Sequence, residues 1–281
     1  VKNKILYLAF FGIVTVFFLY YFFPKEQIEN YLDYQVFRID PDLRLAVGDL
    51  RLSIPPYARI SDAIVSYRQQ PVVRISLARV RPGLGAVLKR GTLAAFKGHA
   101  HKGRFDGKII RGDMTAARID LSDIEIDDID GMQSIPGVSL SGRMTGRIIL
   151  SEEDARPGPG RIDLTVSDCT VALARALFDI KMIRFDQIEL KLDLKGPAVR
   201  IRRLEMKGPQ MNATFEGQVE LQSPFNSSRL KLTGKIQPHA EFMVRLKKKI
   251  PEPLWPSKQL LRSGVPITIS GTIAKPAFGL K

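Results

Sequence analysis

The sequence predicts a mainly β protein, an elongated and curved antiparallel sheet forming a trough or half-open groove, with a few short helices and a single N-terminal transmembrane helix. Three observations predict it. Apolar and polar side chains alternate with period two through most of the chain after residue 41, turn signals separate these runs, and one long apolar stretch stands near the start.

The apolar stretch runs from Ile5 to Phe23 (ILYLAFFGIVTVFFLYYFF) without a charge, and as a helix it covers about 28 Å, the thickness of a bilayer core. Lys2 and Lys4 precede it and no small-residue cleavage motif follows, which favours an uncleaved signal anchor over a removed signal peptide. Tyr7, Tyr20 and Tyr21 suit the two aromatic belts. Residues 1–24 therefore read as a cytoplasmic stub and anchor, and the positive-inside rule exports everything after Pro24. In a bacterium that places a single-pass protein in the inner membrane with its bulk in the periplasm.

This placement bears on the charge. Lys and Arg number 43 against 29 Asp and Glu, a formal net charge of +14, which favours an anionic partner. Export removes nucleic acid from that class and leaves phospholipid headgroups or acidic protein faces.

Pro24 is suited to open a helix, and Ile28, Leu32 and Val36 recur every four residues on one face. Residues 25–40 read as an amphipathic juxtamembrane helix, stopped by Asp40-Pro41-Asp42. Residues 41–281 form the periplasmic β-rich domain. In IELKLDLKGPAVRIRRLEMKG, Ile188, Leu190, Leu192 and Leu194 share one face and Glu189, Lys191, Asp193 and Lys195 the other; Val199 and Ile201 resume the pattern after Gly196-Pro197. GRIDLTV, SRLKLTGKI and VPITISGTI read the same way. Arg81-Pro82-Gly83, the Pro-Gly run at 156–160, Gly208-Pro209 and Ser223-Pro224 punctuate them. No helical crossovers intervene, so the strands are antiparallel. PGLGAVLKRG (82–91) and VALARALF (171–178) carry helix formers and are candidate short helices.

A small motif recurs within the strands: apolar, polar, Gly, polar, apolar. It is centred on Gly107, Gly142, Gly146, Gly217, Gly234 and Gly271. Alternation puts each glycine on the apolar face, where it leaves a gap that permits curvature. A concave apolar sheet follows. Its candidate lining residues are Ile188, Leu190, Leu192, Phe215, Val219, Leu230 and Leu232; an ordinary closed core is the competing reading. The segment 241–264 breaks the alternation. Its basic run, Arg245, Lys247, Lys248 and Lys249, lies beside Phe242, Val244, Leu246, Ile250 and Trp255 and is a candidate interfacial patch for anionic lipid, against the plainer reading of a solvated face.

No catalytic constellation is legible, and the chain reads as a non-enzyme without cofactor or metal. Cys169 is the only cysteine, which excludes an intramolecular disulfide and a cysteine-based zinc site. His99 and His101 would share a strand face but lack ligand partners at suitable spacing. No nucleophile elbow, H-E-x-x-H or phosphate-binding loop occurs. Hydrolysis of an envelope polymer would need a paired-carboxylate cleft, and none is evident. The acidic run ARIDLSDIEIDDIDG (117–131) carries only a fragment of a calcium loop at Asp128-Ile129-Asp130-Gly131. Its alternation slips by one residue at Ser122-Asp123, which predicts a bulge or tight turn. Its acids read as a solvent- or partner-facing strand edge, meeting a basic partner or the chain's own basic residues.

The anchor, Pro24 and its helix, and the closing segments FEGQVELQSPFNSSRLKLTGKIQP and ITISGTIAKPAF resemble the N protein family of the type II secretion system in its shorter bacterial form. RLAVGDLRLSIPPYARISDAIVSY and LGAVLKRGTLAAFKGHAHKGRFDGKI resemble the wider AsmA-like group. The first resemblance implies an inner-membrane-anchored periplasmic component of the secretion machinery, acting by protein–protein contacts in assembly. The second implies a lipid-binding or lipid-transfer module with an apolar β groove, and phospholipid as a partner.

Overall fold

The computed structural model describes residues 10, 25–39, 42–53, 57–67, 69–83, 91–112, 114–129, 137–153, 156–177, 180–196, 198–222, 227–247 and 264–280. Helix α1 (Lys25–Ile39) leads into β1 (Leu43–Ala46), β2 (Asp49–Ser53), β3 (Tyr57–Tyr67), β4 (Gln70–Pro82), β5 (Gly91–Ala100), β6 (Gly103–Arg111) and β7 (Thr115–Glu125). A short 3-10 turn (Ile126–Asp128) precedes β8 (Val138–Glu153), β9 (Arg156–Leu177), β10 (Ile180–Lys195), β11 (Ala198–Lys207), β12 (Met211–Glu220) and β13 (Arg229–Pro238). Helix α2 (Ala240–Lys247), β14 (Val265–Gly271) and β15 (Pro276–Leu280) complete it. The apolar segment 5–23 lies outside the described residues apart from Phe10. Among the described residues no helix is long and apolar enough to cross a membrane.

All the strands belong to one open antiparallel sheet, in which each strand from β3 onward pairs with its sequence neighbours. β1 and β2 both lie along β3, β1 against Ile64–Tyr67 and β2 against Tyr57–Ser61. Among the described residues the strands form this one sheet, and the main contacts are between ladder neighbours and with the helical segments. Local chemistry explains the hairpins: His101 (φ 47°) and Lys102 (φ 60°) form a two-residue connection between paired Ala100 and Gly103, with both residues left-handed as the strand twist requires.

The register keeps apolar side chains in line across the whole sheet. One row runs Ala58, Val80, Phe96, Gly107, Ile119, Ile148, Ile162, Leu192, Ile201, Gly217, Leu232, Ile269 and Phe278 from β3 to β15. A period-two strand that slips by one residue would turn its apolar set to the opposite face. Bulges absorb such slips where the sequence has them. The bulge between Leu121 and Ile124 falls where Ser122-Asp123 predicts it, and Asp123 takes φ 54°. Asp62 and Asp168 adopt the same left-handed conformation on β3 and β9, at φ 54° and 53°. Aspartate tolerates this region better than most residues.

Several expectations need correction. VALARALF is not a helix: residues 171–177 continue β9, paired with β8 and β10 on its two sides. The other candidate helix falls mostly outside the described residues; Pro82 ends β4 and Gly91 opens β5. The acidic run is not a sheet edge, because β7 is bonded to both β6 and β8. His99 and His101 do not share a strand face. His99 stands exposed on β5, whereas His101 is buried in the turn, where its Nε2 accepts the Arg74 N–H at 3.1 Å. Nδ1 therefore carries the proton, facing Asp128 Oδ2 at 3.7 Å.

Candidate functional site

The candidate site is the apolar face of the sheet. All seven lining residues lie on it, but they occupy three strands with β11 between them. Ile188, Leu190 and Leu192 stand on β10; Phe215 and Val219 on β12; Leu230 and Leu232 on β13. Leu204 of β11 faces both Leu190 and Phe215, and Val199 faces Val219, which lies opposite Leu230. Phe215 and Leu232 are buried, whereas the other five are only half-buried. On the N-terminal side the same face continues through Phe105, Leu121, Ile119 and Ile148. These partners come from distant sequence, and no local signal in the β10 segment names them.

The motif glycines are not gaps. Gly107 pairs with Phe96, and a Cβ added there would come 2.6 Å from the Phe96 ring and 2.4 Å from the Arg118 carbonyl oxygen. Gly234 stands likewise beneath Phe215, with a Cβ position only 2.3 Å from the ring and 2.2 Å from the Thr214 carbonyl oxygen. Leu164 fills the position over Gly146, and Leu232 the one over Gly217. An aromatic or leucine side chain laid over a cross-strand glycine restores the apolar surface that the glycine omits. Two glycines depart from this scheme. Gly142 sits at the β8–β9 bulge, and Gly271 ends β14 at the turn to β15 with φ 86°.

Helix α1 covers one end of the sheet. It packs on β1 and β2; Asp33 Oδ1 accepts the Leu45 N–H at 2.8 Å, and Lys25 Nζ reaches Asp49 Oδ1 at 2.9 Å. The other end, β15, has no such cover among the described residues, and Phe278 is 71% exposed there. Of the C-terminal basic run, Arg245 and Lys247 belong to α2, beside buried Phe242 and exposed Val244. Lys248 and Lys249 fall outside the described residues, and so do Ile250 and Trp255.

The polar face carries ion pairs from β7 to β11. Asp120 is held by Arg147 and Arg118, and the hydrogen bond from Arg147, before that from Arg118, keeps its carboxyl below the usual range. Arg202 spans Asp163 and Asp193, Arg203 and Lys207 share Glu205, and Lys102 holds Glu125. The acidic run thus meets the chain's own cations. No group of His, Cys, Asp and Glu among the described residues is arranged to hold a metal ion. Cys169 is buried on the apolar face opposite Phe185, and burial pushes its thiol pKa up.

The chain matches no family model, no curated protein and no solved structure.

Proposed function

We propose that this protein is a membrane-anchored lipid-binding module, in which the sheet curls into a trough and its apolar face takes the acyl chains of phospholipid. The observation that carries this reading is the row of apolar side chains and glycines from Ala58 to Phe278 on a single sheet, with no second sheet among the described residues. A closed β-sandwich would hide the equivalent side chains against an opposing sheet. Here Ile188, Leu190, Leu192 and Leu194 all stay half-buried. Extended apolar surface at this scale marks a binding site in a stable protein. The residues contribute dispersion and desolvation only, so the reading involves no chemistry on the ligand. Residues 5–23 supply the anchor and the bacterial inner membrane the location; the sheet then stands in the periplasm.

Native mass spectrometry of the full chain, released from mild detergent, tests this against a Leu190→Glu/Leu204→Glu variant. The reading predicts co-purifying phospholipid on the wild type and its loss from the variant. Equal lipid on both would assign it to the anchor.

The β15 edge, which no described strand covers, favours a second reading, that of an assembly component of the type II secretion machinery. An exposed strand edge can accept a partner strand, and Phe278 offers an apolar contact beside it. Recovery of secretion-system proteins from detergent extracts, abolished by a proline within β15, would support it. Normal secretion in a deletion strain would sink it.

A further inference from the structure

The polar face is not evenly charged. Arg51 of β2 lies directly opposite Arg59 of β3, Arg59 opposite Arg79 of β4, and Arg79 opposite Lys97 of β5. Four cations therefore stand side by side on four successive strands. Beyond Lys97 the same line changes character and runs Asp106, Asp120, Arg147, Asp163 and Lys191. Like charges directly opposite one another destabilise a sheet, and acids in the line relieve this on β6 to β10. In the cationic stretch, Arg51 is paired with Asp49 at 2.6 Å. Arg59, Arg79 and Lys97 have no carboxylate within 4 Å among the described residues.

A second file of cations runs alongside. Arg81 lies over the Tyr57 ring at 5.9 Å, Ala95 takes the β5 position, and Lys108 and Arg118, the latter paired with Asp120, follow on β6 and β7. Two grooves, of about 460 and 510 Å³, flank the first file and share Arg79, Lys97 and Asp106; the larger lies between the two files and the smaller on the His99 and Arg104 side. Phosphate-sized anions fit between such side chains, and guanidinium groups favour them.

The position of this patch selects the occupant. Lys25, the first residue of α1, stands two residues after the apolar run 5–23, and its Nζ bonds Asp49, which in turn holds Arg51. The cationic line thus begins at the strand tied to the end of the anchor. At ~4.8 Å per strand its four members extend about 14 Å from there, under two screening lengths of about 8 Å at physiological salt, so the nearer members feel a charged bilayer first. An uncharged headgroup layer would leave the repulsion in place.

We propose that the polar face of β2 to β5 is a docking surface for anionic phospholipid headgroups, which lays the N-terminal end of the sheet on the bilayer. Arg59, Arg79 and Lys97 form its centre. This surface is separate from the apolar face and stands whether or not that face holds lipid.

The test uses the full chain in nanodiscs of phosphatidylcholine, with and without 30 mole per cent phosphatidylglycerol, and reads lysine acylation by mass spectrometry. Lys97 and Lys108 should label several-fold more slowly in the anionic discs. Exposed Lys195 and Lys231 on β10 and β13 should not change. The protection should vanish at 0.5 M salt, where screening acts within about 4 Å, and in an Arg59→Gln/Arg79→Gln variant whose circular dichroism matches the wild type. Equal labelling of Lys97 in both discs would overturn the proposal, as would equal slowing at Lys231. Protection of Lys97 in neutral discs by an added acidic protein, without an effect of phosphatidylglycerol, would assign the surface to a protein partner and also overturn it.

Discussion

The ring of Phe96 on β5 lies over Gly107 on β6, so close that the glycine's missing Cβ would fall 2.6 Å from the ring. The two residues act as one unit: the glycine admits the ring, and the ring keeps water from the bare backbone. Phe96→Ala should cost about 1–3 kcal/mol, less than a fully buried phenylalanine because the ring is only half-buried. Gly107→Ala should also destabilise, by roughly 1–3 kcal/mol. Because the Arg118 carbonyl oxygen also obstructs that Cβ, adding Phe96→Ala should not rescue it. Urea unfolding of the two single variants and the double variant measures this directly.

Asp123 offers a backbone test. Its φ of 54° at the β7 bulge costs a β-branched residue about 1–2 kcal/mol and glycine nothing. Asp123→Gly should therefore unfold at nearly the wild-type urea midpoint, and Asp123→Val at a clearly lower one. An equal effect of both would show that the side chain, not the backbone, matters at this position.

The Asp120 cluster should respond to pH. Hydrogen bonds from Arg147 and then Arg118 hold this carboxyl below the usual range. Its contribution is therefore present at neutral pH and is lost as pH falls through the lowered value. The groups are partly exposed, so screening limits the effect to under about 1 kcal/mol. Asp120→Asn should be less stable than the wild type at pH 7, and the difference should shrink as the pH is lowered through and below the usual carboxylate range. A constant difference across that range would mean that the charge is not the cause.

Cys169 should be inert in the folded chain. It is 3% exposed, and burial raises its thiol pKa, which leaves little thiolate. A maleimide should label it only after denaturant is added. Rapid labelling of the native chain would show that the sheet opens locally at β9.

Much of the sheet is legible in the sequence because alternation is a local property. The faces of β10 and β11, the slip at Ser122-Asp123 and the helix from Lys25 can each be read from neighbouring residues. Pairing is not local, and the corrections follow from this. VALARALF has helix formers, but hydrogen-bonded neighbours on both sides hold residues 171–177 as strand. The motif glycines read as gaps until the register puts Phe96, Phe215, Leu164 and Leu232 over them. The basic run at 245–249 draws attention because its charges are contiguous. The line of Arg51, Arg59, Arg79 and Lys97 assembles only after four strands are aligned, and the net charge of +14 is its one trace in the composition.

The proposed lipid-binding trough can be tested most directly by photo-cross-linking the full chain, reconstituted into vesicles, with a phospholipid that carries a diazirine in its acyl chain, followed by peptide mapping. The account predicts adducts on the apolar face, at Phe105, Ile148, Leu190, Leu192 and Leu204, in addition to residues 5–23. Adducts confined to residues 5–23 would contradict it and leave the sheet as a surface for proteins alone.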